Sequence, residues 1–292
     1  MQVWQDVLRE LLAASPRQDR TGTGTRSVFG RQFRFDLTKG FPLVSVKRVP
    51  FRSCVAEMVG FLEGATTIAR FHELGTKVWD GFGADDSVGS LGPIYGSQWR
   101  SWEAASGDSY DQLATLIDGL KHRPTSRRHI LEGWNVAFLP DESISPGQNA
   151  EAGRMCLPPC HKSLQCYVRD GYLDAMVYVR SNDAFLGMPF NIAGYAMMIH
   201  LLAREVGLRP GELVYTVGDL HLYENHVEQA RLAVERTPQD HAVQLMLPAS
   251  WEYSLTDLGR HPFDLGLALV DQVVQALQGY HPQDVISAPV SI

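Results

Sequence analysis

Apolar residues recur along the chain at the three-to-four-residue spacing of amphipathic helices. Val3, Trp4, Val7 and Leu8 begin one such stripe, and Ser15-Pro16 ends it. The stretch 190–206 is almost entirely apolar, which is typical of a buried helix. The spacing predicts helices over residues 3–14, 52–74 (interrupted near Gly64), 110–121, 190–206 and 223–236, and a helical stripe over 270–277 with Gly279 as its C-cap.

Other segments alternate apolar and polar residues, as half-buried strands do. The clearest pair is 163–168 and 172–181, joined by Asp170-Gly171, a dipeptide that strongly favours a hairpin turn. Residues 140–154 are rich in Pro, Ser, Gly, Asn and acidic residues, so we expect an exposed loop there. Further strands are predicted over 28–37, 129–136 and 212–216.

Helical and strand patterns are intermixed along the chain, without an internal repeat or a shift in composition. The hairpin requires antiparallel pairing. These features predict one α+β domain over residues 1–292, with a mixed, mostly antiparallel sheet packed against helices.

Composition narrows the classes of function. Hydrophobic residues are 45% and charged residues 20% of 292, the values of an ordinary globular protein. The net charge of −7 gives no overall attraction to nucleic acid or anionic membranes. No uncharged apolar run approaches the length of a membrane span, and the first residues do not resemble a signal peptide. Four cysteines do not form a disulfide framework in a chain of this length, so we expect a cytoplasmic protein.

One cysteine stands where chemistry is plausible. Cys160 follows two prolines and precedes a predicted strand, although most free cysteines are simply small buried residues. Neighbours on an extended chain point to opposite faces, so His161 is a poor base for Cys160. A zinc site built from Cys156, Cys160, His161 and Cys166 does not match the usual paired spacing, and we expect no metal.

Several arginines could hold an anion. The predicted hairpin brings Arg180 back toward Cys160, where a guanidinium would favour the thiolate or bind an anionic group. Arg127, Arg128 and Arg20 are further candidates, although each alone is typical of a solvated surface residue. Their positions in separate segments leave open whether they meet.

Eight motifs occur in order along the chain, and together they resemble the thymidylate synthase family. The resemblance runs from the first helix to about residue 240 and resumes at the C-terminal Ala288-Pro289-Val290-Ser291-Ile292. The motifs are Asp19-Arg20-Thr21-Gly22-Thr23-Gly24-Thr25, Leu91-Gly92-Pro93-Ile94-Tyr95-Gly96, Ser126-Arg127-Arg128, Pro158-Pro159-Cys160-His161, Arg180-Ser181-Asn182-Asp183, Phe185-Leu186-Gly187, Pro189-Phe190-Asn191 and Gly218-Asp219-Leu220-His221-Leu222-Tyr223.

The resemblance implies methylation of dUMP to dTMP, with 5,10-methylenetetrahydrofolate as both carbon donor and reductant. Cys160 resembles the nucleophile that adds to C6 of uracil, and Glu57 the carboxylate that manages protons through ordered water. Tyr95 resembles the tyrosine linked to removal of the C5 proton. Asp183 resembles the carboxylate that binds the pterin, and Arg180 and Asn191 complete the expected catalytic set.

The resemblance also implies where substrate and folate bind. A homodimer is implied, in which Arg127 and Arg128 reach the neighbouring active site. The expected dUMP-binding residues are Arg20, Arg127, Arg128, Arg180, Ser181, Asn191, His221, Tyr223 and Gln165. The expected folate-binding residues are Val78, Trp79, Phe82, Leu157, Asp183, Leu186, Gly187, Phe190, Val290 and Ile292, the last closing over the folate.

The chain departs from the family pattern beside the expected folate site. Gly60 and Phe82 stand where tryptophans are usual, and inserts occupy about 141–153 and 258–278. One alternative is therefore a dUMP, or other pyrimidine nucleotide, 5-hydroxymethylase, in which water traps the same methylene intermediate. A second alternative is a nucleotide-binding relative without catalysis, although binding alone would require neither Cys160 nor Glu57.

Overall fold

The computed structural model describes every residue except 1, 20–21, 249–253, 261–263 and 291–292, and gives no side-chain detail for Asp264. Its α-helices are α1 (Gln2–Ala13), α2 (Phe51–Glu63), α3 (Ile68–Leu74), α4 (Tyr95–Arg100), α5 (Gln112–His122), α6 (Pro146–Glu151), α7 (Gly187–Glu205), α8 (Val227–Glu235) and α9 (Asp264–Gln275). Its strands are β1 (Pro16–Arg17), β2 (Thr25–Asp36), β3 (Trp102–Glu103), β4 (Ser109–Tyr110), β5 (Ile130–Glu132), β6 (His161–Arg169), β7 (Tyr172–Asp183), β8 (Arg209–Tyr223), β9 (Gln244–Leu245) and β10 (Leu277–Gln278). Short 3₁₀ helices cover Val136–Phe138 and Glu224–His226.

A six-stranded sheet in the order β1-β2-β8-β7-β6-β5 organises the described chain. Its strand pairs are antiparallel except β7 and β8, which are parallel because α7 crosses over between them. Two-stranded ribbons, β3-β4 and β9-β10, lie outside it. This mixed, mostly antiparallel sheet with helices confirms the predicted α+β class.

The predicted hairpin is confirmed and forms β6 and β7. Asp170 and Gly171 both have positive φ, 51° and 78°, as a two-residue hairpin turn requires. Leu164 and Cys166 on β6, and Ala175, Val177 and Val179 on β7, are buried on one face of the sheet. Helix α7 packs against β7 and β8 and is nearly all buried, as its apolar sequence predicted.

Helices α2 and α3 show why the predicted 52–74 helix had to break. Gly64 ends α2 in the left-handed conformation, at φ 89°, which costs glycine little. Thr67 then caps α3 by accepting a hydrogen bond from the amide of Arg70. The turn brings α3 back against α2, so that the two helices share one packed layer.

Four local predictions were wrong in extent or type. The strand expected over 129–136 covers only Ile130–Glu132, whereas the strand expected over 212–216 extends to Arg209–Tyr223. The helix expected from 223 begins at Val227, because β8 continues through Tyr223. Helix α9 ends at Gln275, so Gly279 does not cap it; Leu277 instead pairs with Leu245 across the β9-β10 ribbon.

The expected exposed loop over 140–154 contains helix α6. Ser145 caps it in a capping box with Gln148, and Pro146 occupies its first turn. Asn149 and Ala150 are buried against the rest of the insert. In the described parts of the chain, no helix combines the length and apolar content required to cross a bilayer.

Candidate active site

Cys160 lies at the start of β6, at the base of a cleft of about 940 Å³. Its amide donates a hydrogen bond to the Tyr95 hydroxyl at 2.7 Å, and its carbonyl accepts one from the Arg180 amide at 2.8 Å. The Cys160 backbone is therefore held from both sides, by α4 and by β7. The thiol is partly open to the cleft.

Arg180 reaches Cys160 as the hairpin predicted. Its Nε and Nη2 donate to the carbonyls of Pro159 at 2.9 Å and Pro158 at 3.0 Å, which fixes the guanidinium beside the sulfur. Nη2 lies 3.9 Å from Cys160 Sγ. The two prolines remove competing amide donors while their carbonyls accept from Arg180.

We expected Arg180 to favour the thiolate form of Cys160, but the pKa of this thiol is shifted upward. Burial raises the pKa of the thiol, the Arg180 charge lowers it, and the Glu57 carboxyl raises it again. The net shift is upward, so Arg180 alone does not make Cys160 a thiolate in this cleft. The reactive form therefore depends on a change that accompanies binding or proton transfer.

Glu57 projects from α2 into the cleft. It is enclosed by protein on every side but the cleft, and this burial raises its pKa to about 8. The carboxyl is therefore largely protonated at neutral pH and can donate a proton. A perturbed carboxyl beside a nucleophile is a common feature of catalytic sites.

Tyr95 and His161 form a stacked pair on the wall between Cys160 and Glu57. Their ring centroids are 4.6 Å apart, and the Tyr195 hydroxyl shares a 3.0 Å hydrogen bond with His161 Nδ1. Burial lowers the pKa of His161 to about 3, so its ring is neutral. Burial also holds the pKa of Tyr95 well above its usual value, which keeps its hydroxyl protonated.

The end of β7 brings two further expected residues, Ser181 and Asp183, to the cleft. Ser181 pairs with Asp219 and Asp183 with His221 on β8, so both strand ends open at the same place. Asp183 Oδ1 accepts hydrogen bonds from the amides of Phe185 at 2.8 Å and Leu186 at 3.2 Å. These bonds orient the carboxylate at the start of α7, where backbone amides favour a negative charge.

Aromatic and aliphatic side chains, including Trp79, form an apolar wall of the cleft. Trp79 contacts the rings of Phe61, Phe82 and Tyr95 with centroids about 6 Å apart, and it is stacked on Phe71. The following expected residues all line the cleft: Glu57, Val78, Trp79, Phe82, Tyr95, Leu157, Cys160, Arg180, Ser181, Asp183, Leu186, Gly187, Phe190, Asn191, His221, Tyr223 and Val290.

Three expected site residues that the structure describes do not line this cleft. Arg127 and Arg128 are exposed beyond α5 and do not line it. Gln165 pairs with Met176 on the sheet face opposite the buried residues of β6, so its side chain does not enter the cleft either. Arg20 and Ile292 lie outside the described residues.

Sequence reasoning missed Lys47, which also lines the cleft. Its ammonium is buried, donates to the Phe185 carbonyl at 2.8 Å and lies 4.0 Å from the centroid of the Phe185 ring. Burial lowers its pKa to about 8, against the opposing charge of Asp183. Its one sequence signal is a lysine that follows an apolar run, which does not distinguish it from a surface residue.

Sequence reasoning also failed to predict that the insert at about 141–153 lines the cleft. Asp141, Glu142, Ile144, Pro146 and Asn149 line one side of the cleft. A Cβ on Gly147 would lie 2.6 Å from the Gly83 carbonyl oxygen, so α6 packs directly on the segment after Phe82. A polar, proline-containing sequence carries little information about such a tertiary contact.

The cleft brings the Cys160 thiol, the buried Glu57 carboxyl and the fixed Arg180 guanidinium together beside an apolar wall, and this set of groups is suited to covalent catalysis. The family model described as thymidylate synthase matches residues 2–292. The chain therefore belongs to the thymidylate synthase family, whose members transfer a one-carbon unit from methylenetetrahydrofolate to a pyrimidine nucleotide. Among the described residues, no group of three or more His, Cys, Asp or Glu side chains is arranged to hold a metal ion.

Proposed function

We propose that this enzyme methylates dUMP to dTMP, with 5,10-methylenetetrahydrofolate as co-substrate. The observation that carries the proposal is that Cys160, Arg180, Glu57, Tyr95 and Asp183 meet in one cleft of a family member. The folate supplies both the one-carbon unit and the hydride.

The residues of the cleft divide the reaction between them. Cys160 adds through sulfur to C6 of uracil, and C5 becomes the nucleophile toward the one-carbon unit. Protonated Glu57 stabilises the negative charge that develops on the ring during this addition. Tyr95, whose hydroxyl accepts a hydrogen bond from the Cys160 amide, would take part in removal of the C5 proton.

Substrate recognition follows the same arrangement. Arg180 and Ser181, with Arg20, Arg127 and Arg128, would bind the phosphate as charge-assisted hydrogen-bond donors. Asn191 offers a donor and an acceptor to the N3–H and O4 edge of uracil. His221 and Tyr223 would hold the sugar hydroxyl, and Asp183 the pterin. Nothing places Gln165 in this role within one chain, since it lies on the other sheet face.

A homodimer belongs to this proposal. Ile130, Tyr167, Met176 and Tyr178 are exposed large side chains on one face of the sheet, opposite its buried residues. Adjacent exposed apolar residues of this kind are typical of an interface. Pairing through this face would cover them and would allow Arg127 and Arg128 to serve a neighbouring cleft.

Hydroxymethylation is the competing function, because water can trap the same methylene intermediate. The apolar wall favours methylation. Although Gly60 removes a side chain that is usual at this position, the Phe71 ring occupies the space and stacks on Trp79. The wall therefore has no opening at Gly60 that would admit water.

Both functions are distinguished by one incubation with dUMP and 5,10-methylenetetrahydrofolate. We expect dihydrofolate, followed by absorbance, together with a nucleotide that has gained the mass of a methyl substitution. Tetrahydrofolate with a hydroxymethyl nucleotide would instead establish the hydroxymethylase. Nucleotide binding without either product would support the non-catalytic relative.

A further inference from the structure

Gly60 on α2 is in direct contact with the aromatic ring of Phe71 on α3. A Cβ built on Gly60 would lie 2.9 Å from Cδ1 of that ring and closer still to Cε1. Carbon atoms do not approach this closely, so any side chain at position 60 would push the ring away. Glycine is therefore required at position 60 for Phe71 to occupy its place.

The same ring supports Trp79. The two ring systems are stacked, with centroids 5.9 Å apart and planes inclined by 26°. Phe71 is completely buried, whereas Trp79 retains a small exposed edge in the cleft. Offset stacking of this kind fixes both the position and the tilt of an indole.

Trp79 in turn lies beside Tyr95 and Glu57 in the wall of the cleft. Its ring lies 6.2 Å from that of Tyr95, and its indole is close enough to Glu57 to oppose part of the rise in the pKa of that carboxyl. Phe82 meets its other side at 6.3 Å. A shift of Phe71 would therefore move Trp79 and change the wall of the cleft, although Phe71 itself does not line the cleft.

We propose that Phe71 is a positioning residue that determines which nucleophile reaches the methylene intermediate. The inference rests on the proposed function. Hydride addition to the exocyclic carbon restores the C5–C6 double bond, expels the Cys160 thiolate and gives the methyl group. Addition of water at the same carbon, with loss of a proton, expels the same thiolate, gives a hydroxymethyl group and leaves the folate unoxidised. By holding Trp79 in place, Phe71 excludes this water.

The test is the ratio of methyl to hydroxymethyl nucleotide, measured by mass spectrometry. Phe71→Leu removes the stack, and we expect the ratio to fall about three- to tenfold, the effect of losing one aromatic pair. The KM for dUMP should stay within about twofold, because no nucleotide contact changes. Gly60→Ala should lower the ratio similarly, since its methyl group displaces the ring while adding atoms to the core.

The double variant Gly60→Ala/Phe71→Leu separates positioning from general damage. The added methyl group would occupy part of the space that the smaller side chain leaves, so the ratio should recover toward the wild-type value. Phe51→Leu is the matched control, because Phe51 is a buried residue at the start of α2 that packs on Phe41 and does not line the cleft. It should lower stability and leave the ratio unchanged.

A wild-type product ratio in Phe71→Leu, or the same fall in Phe51→Leu, would overturn the inference while the proposed function stands. If Phe71→Leu does not fold, a wild-type ratio in Gly60→Ala has the same meaning. A wild-type enzyme whose main product is the hydroxymethyl nucleotide would overturn the proposed function. The two failures are therefore distinguishable from the wild-type reaction alone.

Discussion

At the scale of single residues, burial sets the charge of the site. It raises the pKa of Glu57 and of Cys160 and lowers that of His161, so all three favour their neutral forms. The guanidinium of Arg180 remains charged and is fixed by two carbonyls. Cys160 and Glu57 are thus neutral in the free cleft, and the negative charge needed for addition must develop during the reaction, where fixed donors stabilise it most.

The proposed mechanism assigns the covalent step to Cys160 and not to Cys156, the other cysteine that lines the cleft. Cys160→Ser should abolish the covalent complex with 5-fluoro-dUMP and folate, because a serine hydroxyl is a far weaker nucleophile than a cysteine thiol at neutral pH. Binding of dUMP should remain, since no phosphate contact is altered. Intact-protein mass spectrometry and equilibrium dialysis measure the two effects.

The matched control for this variant is Cys156→Ala. Cys156 lines the same cleft and is buried, but burial raises the pKa of its thiol to about 12. This variant should still form the complex. Near-normal turnover by Cys160→Ser would contradict the proposed mechanism.

Glu57 should make stability depend on pH. Its pKa of about 8 in the folded protein exceeds the ordinary 4.5, so between these values the folded state binds more protons than the unfolded state. Stability from this group is complete below pH 4.5 and is lost as the pH rises through 8. Glu57→Gln has no carboxyl that ionises. The melting temperature of this variant, relative to that of the wild type, should therefore increase as the pH rises over this range.

Thermal unfolding at several pH values measures this difference, and Glu228→Gln is the control. Glu228 is an exposed residue of α8, and the same substitution there should shift the melting temperature by a similar amount at each pH. A difference in melting temperature between Glu57→Gln and wild type that stays constant with pH would show that burial does not raise the pKa of the Glu57 carboxyl. Activity of Glu57→Gln should fall at every pH.

At the scale of elements, local signals predicted those parts that local chemistry determines. The Asp170-Gly171 turn, the stripe of α1 and the break at Gly64 follow from backbone geometry and periodicity, and each was predictable. The hairpin then placed Arg180 beside Cys160 correctly. The site residues on other elements could be grouped only through the family resemblance, because their separation in sequence does not indicate their distance in the folded protein.

Elements that depend on tertiary contacts were not predictable in this way. The Ser145–Gln148 capping box is a local signal for the start of helix α6, but the placement of the helix depends on Asn149. The Asn149 Oδ1 accepts a hydrogen bond from the Asp141 amide at 2.7 Å, and its Nδ2 donates to the carbonyls of Asp141 and Ser145. A buried asparagine in a polar sequence looks like any loop residue. Likewise, Leu277 pairs with Leu245, which is remote in sequence, and no local pattern predicts that pairing.

Asn149→Ala should loosen the insert. It would leave the amide and carbonyl of Asp141 without their partner, at a cost of about 1–3 kcal/mol for a buried hydrogen-bonding group. Because Ile144 and Pro146 line the cleft beside Phe82, we expect the KM for the folate to rise several-fold while the KM for dUMP changes little. Steady-state kinetics and limited proteolysis of the 140–154 segment measure both effects.

Ser143→Ala is the control for the insert. Ser143 donates to the exposed Asp141 carboxylate at 2.7 Å, so its loss should cost little and leave both KM values unchanged. Equal rises in the KM for folate and dUMP in Asn149→Ala would show that the insert does not act on the folate side alone.

At the scale of the whole molecule, the proposed homodimer would complete the phosphate site of each cleft. The β6-β7 hairpin buries one face and leaves Tyr167, Met176 and Tyr178 exposed on the other. Arg127 and Arg128 are exposed on the segment that follows α5. A second copy on this sheet face would cover the apolar side chains and place a pair of cations near a phosphate site.

Shared sites predict complementation between two inactive variants. In a mixed dimer of Cys160→Ser with the double variant Arg127→Ala/Arg128→Ala, one site combines an intact Cys160 with both arginines of its partner. If the arginines act across the interface, unfolding and refolding an equal mixture should restore about a quarter of wild-type activity, because about half of the dimers are mixed and each has one working site. Size-exclusion chromatography checks that dimers form. If the arginines act within their own chain, no combination supplies a complete site, and the mixture would show only the residual activity of its parents.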